Sequence, residues 1–379
     1  MPLGRAARLL AARLSAARRR ENVPAAINWD LTYACPLRCG HCYSESGRRP
    51  SRQLRLESLL RLADAILAVR PVPAVTFSGG EPLVVRGILE LAARLKLGGA
   101  RTTLYTSGFR LDENMATGVA ASFDRIAVSL DGPDARVNDF LRERPGAFDG
   151  AMRGARMLDA HVARGSSQLG LEVTIMKSNW ATLERFATDV LPELPHFSYL
   201  HLGALIPTGL ASRESFVDRE LLDDAQMAEL PALEKRLARA VPRGVRVRVF
   251  SNLPFMMNPA QLRWGVALDR LVKLEADGRV RGMDIYEGTV GNLLEEPLSV
   301  LFARSLERHR DPFVVAQLSR VHTMRDWAAA CRAIDFHFAS EEDRARIEKR
   351  PVALPVPEDL APSTAVPSAG KRITLDLLS

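Results

Sequence analysis

A chain of 379 residues, 47% of them apolar and with no run of eighteen apolar residues, can bury a sizeable core and offers no predicted membrane-spanning helix. The formal charge is +7, but residues 1–21 set six arginines against Glu21, so the remainder carries only about +2. Without interleaved basic and aromatic residues this body does not read as a nucleic-acid groove, and the start of the chain lacks a secretory signal, so a cytoplasmic protein is expected.

In chain order, the first predicted element is a basic amphipathic helix over residues 1–24. Leu3, Ala7, Leu10, Leu14 and Ala17 fall on one stripe, with the arginines mostly opposite. The stripe has no Trp or Phe, which favours packing on the main body over resting on a membrane surface. From about residue 26 to about 206, β-rich runs alternate with helical segments. The runs are AINWDLTY, AVTFSGG, TTLYTSG, RIAVSLDG, LEVTIMK and YLHLGALIP. The helices are expected near 54–69, 85–98, 112–121, 148–163 and 180–191.

Six strand–helix units predict an α/β fold: a partial (β/α)6 TIM-like barrel with its site at the C-terminal strand ends. The motifs gather there. A loop with Cys35, Cys39 and Cys42 follows the first strand, SGGEPL the second, TSG the third and SLDG the fourth. In a reducing compartment, three thiols spaced C-x3-C-x2-C suit either zinc or an iron–sulfur cluster. A closed zinc site would still need a fourth ligand. An iron–sulfur cluster held by three cysteines leaves one iron open to an exchangeable ligand.

These motifs resemble the radical S-adenosylmethionine superfamily, in which a C-x3-C-x-aromatic-C loop follows the first strand and GGEP follows the second. His41 stands here at the position of the usual aromatic. The resemblance implies one [4Fe-4S] cluster on Cys35, Cys39 and Cys42, with S-adenosylmethionine as the second cofactor. It also implies a 5′-deoxyadenosyl radical that abstracts hydrogen from a substrate, and an external electron donor such as flavodoxin or ferredoxin. The same resemblance implies cofactor contacts from His41, Gly79, Gly80, Glu81 and Pro82, with Glu81 and the nearby backbone at the cofactor's ammonium. Thr106, Ser107, Ser129 and Asp131 are expected to supply oxygens to the cofactor. Ser129 and Asp131 also read as a turn and helix cap. Arg142 is the expected partner of the cofactor carboxylate, with Arg144 as its rival and a solvated surface charge as the alternative.

LTYACPLRCGHCYSESGRR, SLDGPDARVNDFLR, GAFD and the PTG of Pro207–Gly209 are similar to the subgroup with a SPASM or twitch extension, among them mycofactocin peptide maturases. That similarity divides the chain into the helix of 1–24, a barrel of 25–215, a SPASM-like α+β cap of 216–348 and a Pro-rich, weakly ordered tail of 349–379. Residues 272–302 read as the cap's hairpin, turning at Asp277-Gly278 and followed by a helix. The cap keeps Cys331 alone, with Gly282 where such extensions usually carry a cysteine, so no auxiliary cluster is expected. Cys331 reads either as a buried structural thiol or as a hydrogen donor. His201 points into the barrel or into a helix interface.

Without an auxiliary electron acceptor, redox-neutral outcomes such as epimerisation, elimination or decarboxylation are expected. Because only about 25 residues precede the first strand, a small polar metabolite, a sugar or nucleoside, is the first expected substrate. A precursor peptide with a separate binding partner is the alternative, and a zinc-binding module without enzymatic activity is the alternative of another class.

Overall fold

The computed structural model describes residues 23–162, 167–253 and 270–360. The expected N-terminal helix over 1–24 lies almost wholly outside the described residues, as does the tail beyond 360. The fold begins β1 (Ala26–Thr32), α1 (Leu56–Leu67), β2 (Ala74–Gly79), α2 (Ile88–Leu97), β3 (Thr102–Thr106), α3 (Glu113–Ser122) and β4 (Arg125–Ser129). It continues with α4 (Ala135–Arg142), α5 (Ala147–His161), β5 (Gln168–Ile175), β6 (Tyr199–Ala204), α6 (Glu214–Glu220), α7 (Asp224–Ala240) and β7 (Arg246–Phe250).

The helices bury one stripe each. Leu59, Leu62, Ala63 and Ile66 on α1, and Ile88, Leu91, Ala92 and Leu95 on α2, repeat at the three- and four-residue spacing that marks one helical face. They cover the outer face of the sheet, where Trp29, Phe77 and Phe123 meet edge to face at 6.0 and 5.3 Å. Each large side chain so buried contributes about 1.5–3 kcal/mol, and Phe77→Ala would cost about 3–5 kcal/mol.

The sheet runs β1 to β7 in sequence order, every pair parallel, as the alternation predicts. It is wider than six strands. β7 extends it at one edge, and on the other edge β8 (Leu271–Leu274), the first strand of the expected hairpin, pairs parallel with β1. β9 (Arg279–Arg281) and β10 (Thr289–Asn292) complete that hairpin antiparallel, and α8 (Leu298–Arg308) follows. The extension is therefore continuous with the barrel sheet. It ends in α9 (Pro312–Leu318), α10 (Met324–Phe338) and α11 (Glu341–Glu348).

Three local expectations change. The helix near 180–191 is instead a run of short 3-10 and π turns across Lys177–Glu193. The Asn179 amide opens that run by accepting from the Met176 N–H and donating to Thr174 and Asp131 carbonyls, and Pro192 lacks the N–H a regular helix would use. α4 is an additional helix, capped by Asp134. The first tail residues are docked: Arg213 and Arg219 donate to the carbonyls of Pro351, Ala353 and Leu354, and Ala353 and Leu360 are buried.

Candidate active site at the strand ends

Strand alternation decides what faces the barrel interior. Because Trp29, Phe77, Leu104, Val128, Leu171 and Leu202 pack outward under the helices, their neighbours turn inward. The inner wall therefore carries Asn28, Asp30, Ser78, Tyr105, Arg125, Glu172, His201 and Lys273, an unusually polar lining. At its open end stands the thiol loop.

That loop is built from both flanks. Tyr33 N donates to Ser51 O (2.9 Å), and Gly47 N to Tyr33 O (2.7 Å), closing the loop's neck. The end of α4 clips its middle, with Arg38 N on Arg142 O (3.2 Å) and Gly40 N on Leu141 O (3.1 Å). PTG backs its far side, as Leu210 N donates to Cys42 O (3.0 Å). Cys35, Cys39 and Cys42 are all partly exposed within it.

The glycine shelf of β2 fits beneath. Gly80 N donates to Thr32 O (2.7 Å) and Glu81 N to Ala34 O (2.9 Å), so the backbones of the two strand ends lie against each other. Gly79 has φ +105°, and a Cβ on Gly80 would run into the Ala34 carbonyl. Only glycine meets both demands. Pro82 opens a 3-10 turn just beyond.

Glu81 is buried and braced. Its carboxylate accepts from Thr106 Oγ1 (2.7 Å), Ser107 N (2.8 Å), Ser107 Oγ (2.5 Å) and Leu83 N (3.2 Å), which fastens the second strand end to the third. Asp131 is fully buried. One carboxylate oxygen accepts from Thr174 N (2.9 Å); the other lies 2.8 Å from Arg142 Nη2 and 3.2 Å from His41 Nε2. Arg142 also reaches Cys39 Sγ at 3.9 Å. Arg144 stacks over Phe109 instead. Ser129 ends β4 on its inward face, opposite Glu172.

Thus His41, Glu81, Thr106, Ser107, Asp131 and Arg142 come together around the loop, bonded chiefly to one another. Cys331 does not join them. It is buried in α10 within a separate apolar cluster that includes Trp327 and Tyr286, and its thiol is pushed far above the usual range by burial and then by Asp335.

Several residues of the site have no role assigned from the sequence. Tyr43 donates to Asp30 Oδ1 (2.8 Å) and accepts from Gly79 N (3.1 Å), while Lys273 pairs with Asp30 at 3.1 Å. Across the barrel, Arg125 Nη2 lies 2.9 Å from Glu172 and 3.0 Å from His201 Nδ1, stacked on Tyr199. His201 therefore faces the barrel, and charged residues at inward strand positions are the signal that could have found this group.

A family model described as the Radical SAM superfamily matches residues 29–187. Over these residues the chain is similar to the radical SAM superfamily. The mycofactocin maturase MftC of Mycobacterium tuberculosis is 34% identical over 44% of this chain and 42% of its own length. The AdoMet-dependent heme synthase of Methanosarcina barkeri is 30% identical over 50% and 52%. The chain spans about half the length, or less, of these curated relatives. Streptococcus suis SuiB bound to S-adenosylmethionine superposes with a TM-score of 0.59 at 15% identity, over 80% of this chain and 71% of SuiB. AdoMet-bound anSMEcpe superposes at 0.54 with 14% identity, over 86% and 99%. Both share the fold.

The family's cofactors are a [4Fe-4S] cluster and S-adenosylmethionine, and the donor set fits the cluster. Cys35, Cys39 and Cys42 are soft donors, partly exposed on one loop. A cluster spreads its thiolates over separate irons. Burial, and then the neighbouring Cys39, pushes Cys35 up; burial pushes Cys39 up to about 12 against the pull of Arg142. Iron must therefore displace these protons on binding.

Proposed function

We propose that this chain is a radical S-adenosylmethionine enzyme that abstracts hydrogen from a biosynthetic substrate, with a precursor peptide as the first candidate. The observation that carries the reading is the loop of three thiols, clipped by α4 and seated against a glycine shelf that excludes any side chain. Bound there, the cluster and S-adenosylmethionine would supply a 5′-deoxyadenosyl radical once an external donor such as flavodoxin or ferredoxin delivers an electron.

The chain's own residues do the positioning. Cys35, Cys39 and Cys42 would hold three irons, and the backbone of Gly79 and Gly80 offers a surface on which the methionine end can lie. Glu81 holds that surface to the third strand. Asp131, paired with Arg142 and His41, fixes the fourth strand end against the loop. Below them, Arg125, Glu172 and His201 offer a substrate charged and hydrogen-bonding partners inside the barrel.

A peptide substrate is supported by the maturases among the relatives and by SuiB, which is also known bound to its precursor peptide SuiA. The heme synthases keep other substrates in view. A sugar or nucleoside is the second reading, favoured by the polar barrel lining. With Cys331 alone outside the loop, a redox-neutral outcome remains part of the proposal.

Isotope transfer separates these readings. The anaerobically reconstituted, reduced chain is given S-adenosylmethionine with deuterated peptides or with deuterated nucleosides and sugars, and the 5′-deoxyadenosine is weighed. Deuterium arriving from a peptide supports the first reading and from a nucleoside or sugar the second; no 5′-deoxyadenosine under any condition would overturn both.

A further inference from the structure

Glu45 lies three residues after Cys42, buried, with its backbone in the left-handed region at φ +54°. Its carboxylate is met from about 300 residues away. Arg346 on α11 donates to Oε1 through Nη1, and Arg350 donates to the same oxygen through Nε (3.0 Å) and Nη2 (2.8 Å). Both arginines are held in turn: Arg346 Nη2 reaches Glu287 (2.8 Å) and Asp343 (3.2 Å), and Arg350 Nη1 donates to Ser212 Oγ (3.1 Å).

The chain of charges continues into the extension's hairpin, where Arg281 lies 3.4 Å from Glu287 and 2.8 Å from Glu275. Arg49, on the thiol loop's outgoing arm, closes it against Asp343 at 3.6 Å. Four carboxylates and four guanidiniums thus balance in a largely buried setting. Such a network adds little net stability over an apolar contact of equal shape, but it fixes partners in register. Its register here is that of the thiol loop.

We propose that Glu45, Arg346 and Arg350 are positioning residues: through this ion-pair chain, α11 holds the thiol loop in the conformation that receives the cluster. The inference deepens the reading above and rests on it only where iron is concerned. The radical site is then built jointly by the barrel and the C-terminal extension.

The test replaces the triad in the full chain by apolar groups, Glu45→Met with Arg346→Leu and Arg350→Met, and adds Glu287→Gln so that the remaining carboxylates and guanidiniums still balance, because a buried ionic group exchanged whole is often tolerated. Two rates are read: tryptic cleavage of the metal-free chain after the exposed Arg38 and Arg48, and iron release from the reconstituted chain to a chelator. Each should rise about tenfold or more over wild type, since cleavage follows the population of the opened loop, while the melting temperature and circular dichroism stay near wild type. Both rates within about twofold of wild type would overturn the proposal. Arg346→Lys keeps the charge but loses the forked geometry. It should give intermediate rates and serves as the test if the combined variant does not fold. Wild-type chain that takes up no iron would sink the cluster reading, and the tryptic rate alone would then decide the tether.

Discussion

Arg142 places Nη2 2.8 Å from Oδ2 of the fully buried Asp131, while its own carbonyl accepts the N–H of Arg38 in the thiol loop. One residue thereby joins the fourth strand end to the loop.

Removing the carboxylate should be costly. Asp131→Asn leaves Arg142 buried without its counter-charge, and about 3–5 kcal/mol of stability should be lost, read by urea unfolding at pH 7. The pH dependence carries a second signature. Burial favours the neutral acid, yet Arg142 and His41 overcome it and hold Asp131 down to about 2. A depressed carboxylate stabilises the fold fully above the unfolded value near 4 and loses that contribution as pH falls through about 2. Between pH 4 and 2 wild type should lose more stability than Asp131→Asn.

Asp335 should behave in the opposite sense. Burial, and then Glu287, pushes it up to about 7 while its Oδ1 accepts the Glu287 N–H at 2.9 Å. Between about pH 4 and 7 the unfolded chain has already released a proton that the folded chain retains, so stability falls as pH rises through that window. Asp335→Asn keeps the acceptor and removes the titration. It should be more stable than wild type at pH 8 and converge with it by about pH 4 in paired thermal melts.

Gly80→Ala tests the shelf. The added Cβ would be driven into the Ala34 carbonyl, prising the second strand end from the thiol loop. Binding of S-adenosylmethionine, measured by equilibrium dialysis on reconstituted protein, should weaken at least about tenfold, equivalent to about 1.4 kcal/mol. Unchanged affinity would show that the shelf is not a cofactor surface.

The strands were legible because β-branched runs alternate with helical stripes, and the thiol loop and GGEP were legible because their chemistry is local. The sequence offers Asp131 and Arg142 as cofactor contacts; the structure also places them against each other, a pairing across eleven positions that no local pattern encodes. Lys273 was hidden for the same reason, since it gains meaning only when β8 lies beside β1. Glu45 read as part of a loop motif. Its partners lie on and just after α11, and the pairing depends on how the extension packs.

Cys331→Ala should be nearly silent. The thiol is buried in α10 beside Tyr286, outside the loop, so iron content and cofactor cleavage should match wild type, with a stability loss of about 1 kcal/mol. Continued 5′-deoxyadenosine formation with lost product would instead assign it the role of hydrogen donor.

The most direct measurement is iron per chain after anaerobic reconstitution, with cleavage of S-adenosylmethionine followed in the same sample after reduction. A single cluster on Cys35, Cys39 and Cys42 predicts about four irons per chain and formation of 5′-deoxyadenosine, both lost in each of Cys35→Ala, Cys39→Ala and Cys42→Ala. A colourless protein that binds zinc without cleaving the cofactor, or a single-cysteine variant that still cleaves it, would contradict the account.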